Sequence, residues 1–337
     1  MGHPDKVCDQ ISDKLVSLYV SGDPHSRVAV ETLFKDNYIT VAGEVTSNAE
    51  VDINAAIYDV LRDVGIIDQA EWKITNLIGK QSQDIAQGVD IGGAGDQGIM
   101  WGYACDETPE CLPLAYMLAT QVLLKLKRLN HEKLGADAKS QVTIEYLPDG
   151  SIRIHTFLVS VQHSDELDQA DVRAIVLPLM EQTARDYNMN TDFRVLVNPT
   201  GKFVIGGSFG DCGVTGRKII ADTYGGAGHH GGGAFSGKDI SKVDRSAAYM
   251  ARYIAKYLLK KYSLHECSIQ IAYAIGVDKP VSVFVENDPD GSMVREILQK
   301  FDLSPKGIID FLDLTHADFY HAAKYGHFTN QNCTWER

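Results

Sequence analysis

Neither a long apolar run nor an excess of basic residues occurs in this sequence of 337 residues. The longest apolar stretch, residues 112–126, is interrupted by Gln121 and Lys125, whereas a membrane-spanning helix needs about 20 apolar residues. Thirty-two Lys and Arg stand against 45 Asp and Glu, which gives a net charge of −13. Nucleic acids and anionic membranes usually select a basic surface, so we expect neither as a partner of this chain.

Several chemical motifs are also missing. The six cysteines include no Cys-x-x-Cys pair, which argues against a disulfide framework and against structural zinc. Residues 1–6 lack the apolar stretch of a secretory signal peptide, and we therefore expect a reduced protein in the cytoplasm. No cysteine lies in a recognisable nucleophile motif and no His-x-x-x-His pair occurs, so covalent cysteine chemistry and a zinc centre have no support.

An internal repeat organises the chain. Each copy contains a helix-like stretch, two strand-like runs joined by a turn, and a second helix-like stretch. The first copy comprises residues 5–19, 27–34, 38–46 and 49–64, and the second comprises residues 113–129, 141–146, 151–161 and 168–186. The third comprises residues 241–261, 267–276, 281–286 and 293–301. The repeat predicts three similar structural units.

These units predict an α/β fold of the α+β type, in which each unit is a mixed or antiparallel sheet with helices on one face. Strands that run as hairpins weigh against a doubly wound nucleotide-binding fold. We expect an N-terminal unit at 1–84, a central unit at 93–205 and a C-terminal unit at 206–337, interleaved by strand exchange. The polar stretch 80–98 is too long for a plain turn, and we expect a lid loop at 85–92.

Glycine is concentrated in residues 201–237, which hold 13 of the 30 glycines. Between residues 201 and 245, six Lys or Arg stand against four Asp, a local charge of +2. Exposed backbone amides with cations at the turn ends suit a phosphate chain, and tight hairpin turns with solvated lysines are the alternative. Residues 232–238 match the first seven positions of a P-loop, but Asp239 stands where Ser or Thr should hold Mg²⁺. A P-loop phosphotransferase is therefore a rival function.

Polar side chains at other predicted boundaries are further candidates. His3, Asp5 and Lys6 come just before a predicted helix, where they could bind phosphate or a metal, or simply cap the helix. Asp137 and Lys139 lead into a predicted strand. Isolated carboxylates are usually solvated surface groups, and this alternative stays open for a further set of acidic residues. These are Glu31, Glu44, Asp96 and Asp244.

Five segments together resemble the S-adenosylmethionine synthetase (methionine adenosyltransferase) family. They are Gly-His-Pro-Asp-Lys at 2–6, Gly-Ala-Gly-Asp-Gln-Gly at 93–98, Asp-Ala-Lys-Ser-Gln-Val at 137–142, residues 210–218, and Gly-Gly-Gly-Ala-Phe-Ser-Gly-Lys-Asp at 231–239. The likeness continues through Tyr-Gly-His-Phe at 325–328. It implies three units related by pseudo-threefold symmetry. It also implies adenosyl transfer from ATP to the sulfur of L-methionine, with the tripolyphosphate hydrolysed to pyrophosphate and phosphate.

The resemblance further implies roles for individual residues. Those expected to stabilise the leaving group and hold the phosphates are His3, Lys139, Arg217, Lys218 and Lys238. Those expected around the rest of ATP are Asp137, Lys202, Asp211, Ala234 and Phe203, the last stacked on the adenine. Those expected around methionine are Glu44, Gln81, Asp96, Asp211 and Lys242. The expected metal ligands are Asp5 and Asp244 for two Mg²⁺ ions and Glu31 for K⁺.

The same resemblance implies a homodimer with shared active sites, which can pair into a tetramer. Three features depart from the family pattern. The family pattern has an acidic segment like Ser-Glu-Ser-Val-Ser-Glu before Gly-His-Pro-Asp-Lys, whereas here only Met1 precedes Gly2. The expected lid is shorter than in bacterial members, and Lys202 stands where many relatives have Arg. Lysine keeps the charge but lacks the planar fork of arginine. A catalytically silent nucleotide-binding or partner subunit of the same fold is the alternative function.

Overall fold

The computed structural model describes residues 1–80 and 93–337. Its longer helices are α1 (Pro4–Gly22), α2 (Ile53–Val64), α3 (Leu114–Leu129) and α4 (Gln169–Asp186). Two single turns, α5 (Gly207–Gly210) and α6 (Ile219–Asp222), precede α7 (Val243–Tyr262), α8 (Ser292–Lys300), α9 (Pro305–Phe311) and α10 (Phe319–Tyr325). Of the helices in these two ranges, none has the length and apolar character that crossing a bilayer requires.

In the described part of the chain, the strands form three sheets. The first, sheet A, has the order β3-β2-β1-β8 and consists of β1 (Arg27–Lys35), β2 (Tyr38–Thr46), β3 (Lys73–Gly79) and β8 (Gly213–Val214). Sheet B has the order β10-β9-β4, from β4 (Gly98–Cys105), β9 (Glu266–Tyr273) and β10 (Ser282–Val285). Sheet C has the order β5-β6-β7, from β5 (Leu134–Tyr146), β6 (Ile152–His163) and β7 (Arg194–Val197).

The predicted fold class is confirmed, because three sheets are combined with packed helices. Sheet B is antiparallel, whereas sheets A and C are mixed, since β3 runs parallel to β2 and β7 runs parallel to β6. The predicted hairpins β1–β2, β5–β6 and β9–β10 are all present. Four short or partly exposed strands, β3, β4, β7 and β8, were not expected from the sequence.

Helix α1 packs on one face of sheet A because every second side chain of β1 is buried and the side chains between them are not. Its residues Val28, Val30 and Phe34 are buried against α1, while Glu31 on the opposite face is exposed. Helix α7 covers sheet B in the same way, and α3 and α4 cover sheet C. The buried side chains of residues 1–80 and 93–337 form two clusters, one within sheet C and its helices and one that extends from Val7 to Trp335. The N-terminal and C-terminal parts of the chain therefore share one hydrophobic core.

Two strands pair with strands that are distant from them in the sequence. Strand β4 pairs along its whole length with β9, so residues 98–105 join the sheet of the C-terminal part. Strand β8 pairs with the end of β1, so residues 213 and 214 join the first sheet. The division into units at 1–84, 93–205 and 206–337 stays a prediction, and the expected lid at 85–92 lies outside the described residues.

A buried ion network fixes the last residues to α7. The Glu336 carboxylate accepts hydrogen bonds from the Arg252 guanidinium at 2.9 and 3.1 Å and from Lys256 Nζ at 2.8 Å, and all three side chains are buried. Trp335 stacks on Tyr249 of the same helix, with ring centroids 3.9 Å apart. The network supports the helix at whose first turn Asp244 lies.

Glu336→Gln is expected to lower the free energy of unfolding by about 3 kcal/mol, since removing one charge leaves two buried cations uncompensated. Urea unfolding followed by circular dichroism at pH 7 measures the change. The matched control is Glu166→Gln, which breaks the exposed 3.0 Å pair with Lys133 and should cost less than about 1 kcal/mol. Equal losses for the two variants would contradict the importance of burial here.

Candidate functional site

The site begins at the amino end of α1. His3 is the N-cap of this helix, since its Nδ1 accepts a hydrogen bond from the Asp5 backbone N–H at 3.1 Å, and Pro4 occupies the first helical turn. His3 is nearly fully buried. Because Nδ1 accepts this bond, the proton of a neutral imidazole lies on Nε2. His3 can therefore act both as a helix cap and as a hydrogen-bond donor.

The imidazole of His3 is held neutral. Burial, together with the positive charges of Lys218 and Lys139, lowers the pKa of His3 to about 4. At neutral pH the side chain thus presents an uncharged Nε2–H. Asp211 Oδ2 lies 3.6 Å from Nε2, and the Asp211 side chain is half exposed.

Asp5 connects α1 to the glycine-rich segment 210–218. Its buried carboxylate accepts hydrogen bonds from the Val214 N–H at 2.9 Å and from Lys218 Nζ, and Arg217 Nε lies 3.6 Å from Oδ1. Burial disfavours the charge, but the bonds from Lys218 and from Val214 outweigh burial and lower the pKa of Asp5. We term His3, Asp5, Asp211, Arg217 and Lys218 the helix-end cluster.

A cavity of about 400 Å³ borders this cluster, and His3, Lys139 and Lys218 are among its lining residues. Lys139 is exposed on β5. Asp137 on the same strand is buried, and its Oδ2 accepts the Gly207 N–H at 2.9 Å. Burial raises the pKa of Asp137 above its usual range.

Two of the residues expected around the adenine, Lys202 and Phe203, lie beside the end of β6. The Phe203 N–H donates to His163 Nε2 at 3.0 Å, and the His163 N–H donates to the Phe203 carbonyl. Lys202 points to solvent, where its Nζ pairs with exposed Asp165 at 2.6 Å. Ala234 packs close to Gly216, because a Cβ on that glycine would lie 2.6 Å from the Ala234 Cβ. Ala234 therefore lies beside the glycine that precedes Arg217, whereas Phe203 and Lys202 lie next to β6.

A second group lies on sheet A. Lys238 forms an isolated bridge to Ala29 of β1, and Ala29 is paired on its other side with Glu44 of β2. Glu31 follows two residues after Ala29 and lies on the same exposed face. Lys238 Nζ also pairs with Asp244 Oδ2 at 2.5 Å. We term Glu31, Glu44, Lys238 and Asp244 the sheet-face cluster.

The two remaining methionine candidates that the structure describes lie near the sheet-face cluster. Asp96 is exposed two residues before Gly98, where an added Cβ would lie 3.7 Å from Asp244 Oδ1. Lys242 Nζ pairs with the buried carboxylate of Asp239 at 3.0 Å. Gln81 lies outside the described residues.

The two clusters are separate within one chain. Among residues 1–80 and 93–337, no hydrogen bond or ion pair joins a side chain of the helix-end cluster to one of the sheet-face cluster. Lys238 is bridged to Ala29, whereas Val214 pairs with Leu33 on the same edge of β1. Ala29 and Leu33 are four residues apart in β1, so the backbones of Lys238 and Val214 meet this edge about 13 Å from each other. Within the described residues, the expected groups therefore fall into two clusters that no side-chain bond connects.

Two buried acids were missed by the sequence analysis. Asp9 and Asp13 follow Asp5 at intervals of four residues along α1, and all three are fully buried. An acid repeated at helical spacing on a face that also carries Val16 and Val20 was the available signal. Their partners are backbone amides of the glycine-rich segments, which no local pattern could have identified.

The local structure of residues 231–239 does not fit a P-loop. A P-loop connects a strand directly to a helix that begins at its Lys and Ser or Thr. Here residues 223–230 contain no strand, and α7 begins at Val243, five residues after Lys238. The rival reading as a P-loop phosphotransferase is therefore not supported.

Comparison with known proteins covers the whole chain. Three family models match: S-adenosylmethionine synthetase N-terminal domain over residues 1–83, central domain over 91–203, and C-terminal domain over 205–337. S-adenosylmethionine synthase of Mesoplasma florum is 45% identical, across 100% of this chain and 94% of the relative. S-adenosylmethionine synthase 1 of Frankia casuarinae is 46% identical, with the same coverage. The chain therefore belongs to the S-adenosylmethionine synthetase family and is an enzyme of the methionine adenosyltransferase class.

Proposed function

We propose that the helix-end cluster binds the triphosphate of ATP and that His3 stabilises its leaving oxygen. The observation that carries this proposal is the buried, neutral His3, whose free Nε2–H lies beside the cations Lys139 and Lys218. The methionine sulfur would attack C5′ of ATP while the C5′–O5′ bond breaks. The bonding electrons leave with the triphosphate, and a donor at the leaving oxygen stabilises that charge only as it develops.

The reaction also needs positive charge around the triphosphate, and the lysine and arginine side chains near His3 could supply it. Lys139 and Lys218 line the cavity next to His3, Arg217 lies 3.6 Å from Asp5 Oδ1, and Lys238 would supply a fourth charge from the sheet-face cluster. Arginine can bind two phosphate oxygens at once, whereas lysine acts as a point charge. The same groups would hold the tripolyphosphate while one water hydrolyses it to pyrophosphate and phosphate. No protein nucleophile is needed for either step.

The acidic residues fit oxygen-liganded cations that also contact substrate. Within residues 1–80 and 93–337, no three His, Cys, Asp or Glu side chains are grouped as a metal site. Mg²⁺ commonly takes one or two carboxylates and completes its shell with water and phosphate oxygens, which suits single ligands such as Asp5 and Asp244. We propose these two residues for two Mg²⁺ ions and Glu31 for K⁺. When bound, the ions would neutralise charge on the phosphates.

The residues proposed to contact the adenine and the methionine lie in or near the two clusters. Phe203 would stack on the adenine, with Asp137, Lys202 and Ala234 nearby. Glu44, Asp96, Asp211 and Lys242 would surround methionine together with Gln81. Asp211 lies next to His3, whereas Glu44 and Asp96 lie with the sheet-face cluster. Methionine would therefore contact both clusters.

A homodimer would bring the two clusters together. The exposed face of sheet A carries Glu31 and Glu44, and it also presents Leu33, Tyr38 and Leu77 at 43%, 50% and 62% exposure. Apolar side chains grouped on one sheet face are typical of an interface. Two copies related by a twofold axis would place the sheet-face cluster of each chain next to the helix-end cluster of the other. Two such dimers could pair into a tetramer.

A reducing compartment suits this chain. All six cysteines are free thiols, and five of them are buried. Disulfides are rare in the cytosol, where thiols are kept reduced. We therefore infer the cytoplasm as the location of the enzyme.

The reaction and the choice of cations are tested by product analysis. Purified protein is incubated with ATP and L-methionine, with Mg²⁺ and K⁺ present together or omitted singly. We expect S-adenosylmethionine, pyrophosphate and phosphate in equal amounts, and a large loss when either ion is omitted. Transfer of a single phosphoryl group, or ATP binding without turnover, would contradict the proposal. The second result would favour the catalytically silent subunit.

A further inference from the structure

Three buried carboxylates form a ladder along one face of α1. Asp5, Asp9 and Asp13 are each 0% exposed and recur every four residues, just over one helical turn. A buried carboxylate is costly unless it is paired and hydrogen-bonded. Each of the three accepts a hydrogen bond from a backbone N–H more than 200 residues away in sequence. Their partners therefore indicate what the ladder holds.

Asp9 holds the segment that carries two of the proposed phosphate ligands. Its Oδ1 accepts the Gly216 N–H at 2.7 Å, and Arg217 and Lys218 follow directly. Gly216 has φ +80°, a left-handed conformation that favours glycine. Lys6 Nζ, 3.0 Å from Asp9 Oδ2, partly compensates the buried charge.

Asp13 holds the second glycine-rich segment in the same manner. Its Oδ1 accepts the Gly237 N–H at 3.0 Å, and Lys238 follows directly. Gly237 has φ +85°. The buried Arg245 guanidinium pairs with Asp13 and also donates to the Phe235 carbonyl, so one end of the turn is held by α7 and the other by Asp13 of α1.

The two arrangements share one design. In each, a left-handed glycine stands immediately before a proposed phosphate-binding cation and donates its N–H to a carboxylate of α1. The two carboxylates are one helical turn, about 6 Å, apart on a rigid element whose N-cap is His3. A shift of either glycine-rich segment would therefore move the cation that follows it within the active site to which that cation belongs.

We propose that Asp9 and Asp13 are positioning residues, which set the places of Arg217 and Lys238 by holding the preceding glycines. This inference rests on the proposed role of those cations in binding phosphate. Misplacement of a catalytic group by about 1 Å can cost about 100-fold in rate, although the aspartates contact no substrate. Asp9 would act through Arg217, because Lys218 is held separately by its bond to Asp5, and Asp13 would act through Lys238.

Crossed double-mutant cycles test these two pathways. Asp9→Ala and Asp13→Ala are each expected to lower kcat about 100-fold at saturating ATP and methionine. In a Lys238→Ala background, Asp13→Ala should cost less than about 3-fold more, while Asp9→Ala should keep its full effect. In an Arg217→Ala background the two outcomes should be reversed. Asn at either position keeps an acceptor oxygen and should restore kcat to within about 10-fold of the parent enzyme.

A control variant separates loss of stability from loss of catalytic rate. Glu336→Gln also removes a buried, paired carboxylate and should lower stability without lowering kcat per folded molecule. If an Ala variant does not fold, the corresponding Asn variant replaces it in the cycle, with a smaller loss and the same crossed pattern. Equal coupling in both backgrounds would overturn the inference. If Arg217→Ala and Lys238→Ala themselves leave kcat unchanged, the proposed function of the cations fails instead.

Discussion

Replacing His3 by alanine is expected to lower the rate of adenosyl transfer by about 10²–10³-fold, the usual cost of removing one transition-state donor. The Nε2–H of the neutral imidazole would donate to the leaving oxygen, which gains charge only as the C5′–O5′ bond breaks. Hydrolysis of added tripolyphosphate should suffer less, since that step breaks no bond at C5′. Single-turnover kinetics for each step, with ATP or tripolyphosphate supplied, measures the difference.

A second variant separates this role from helix capping. Asparagine is a good N-cap, so His3→Asn should keep the bond to the Asp5 N–H while losing the donor at Nε2. Both variants should lose adenosyl transfer, whereas only His3→Ala should lose about 1 kcal/mol of stability. His265→Ala, at a 96% exposed histidine, is the control for surface effects. Equal losses in adenosyl transfer and tripolyphosphate hydrolysis would contradict the role of His3.

A heterodimer of two inactive variants is expected to regain about half of the parental activity per dimer. The variants are His3→Asn, in the helix-end cluster, and Lys238→Ala, in the sheet-face cluster, each expected to lose about 100-fold as a homodimer. If each active site takes one cluster from each chain, a mixed dimer has one site with both defects and one intact site. Coexpression with two different affinity tags and sequential purification isolates the mixed dimer for assay.

The matched control combines two variants of the same cluster. A mixed dimer of His3→Asn and Lys218→Ala has one defect in each site and should remain as inactive as its parents. Recovery in both mixtures, or in neither, would contradict active sites that are shared between subunits. This result does not depend on whether dimers pair further into tetramers.

The periodic parts of the fold could be predicted from the sequence because their burial is local and regular. The alternation of β1 and the apolar face of α1 are visible in single windows of the chain, and both elements were placed to within a few residues. Helix α2 begins at Ile53 rather than at residue 49, because Asp52 caps it by accepting the Ala55 N–H. The capping signal consists of one residue, and the apolar pattern of residues 49–64 led to a predicted helix start that is four residues too early.

The missed strands lack such patterns. Strand β3 is exposed or half-buried at every position, so it shows no alternation between faces. Strand β4 contains Gly102, where a Cβ would lie 2.1 Å from the Ala251 backbone of α7. This glycine is required by close packing between elements distant in sequence, and a single-sequence pattern does not reveal such packing.

Individual site residues could be named from motifs, but their grouping could not. The motifs gave Asp5 and Lys218 separately, and their contact depends on the path of more than 200 intervening residues. The separation of the sheet-face cluster from His3 depends on the order of strands in sheet A. Such relations come from tertiary structure, which neighbouring residues in the chain do not encode.

The pairing of β4 with β9 has a consequence for synthesis of the chain on the ribosome. Gly98 pairs with Tyr273 and Cys105 with Glu266, so the partner of β4 in the described part of the chain is synthesised only within the last quarter of the sequence. Long-range strand pairing is slow to form, and unpaired strand edges favour aggregation in the interval. Because the shared core also includes Trp335, the nascent N-terminal part cannot complete its packing alone. The chain should therefore fold largely after its release, and chaperones that cover exposed strand edges should increase its yield.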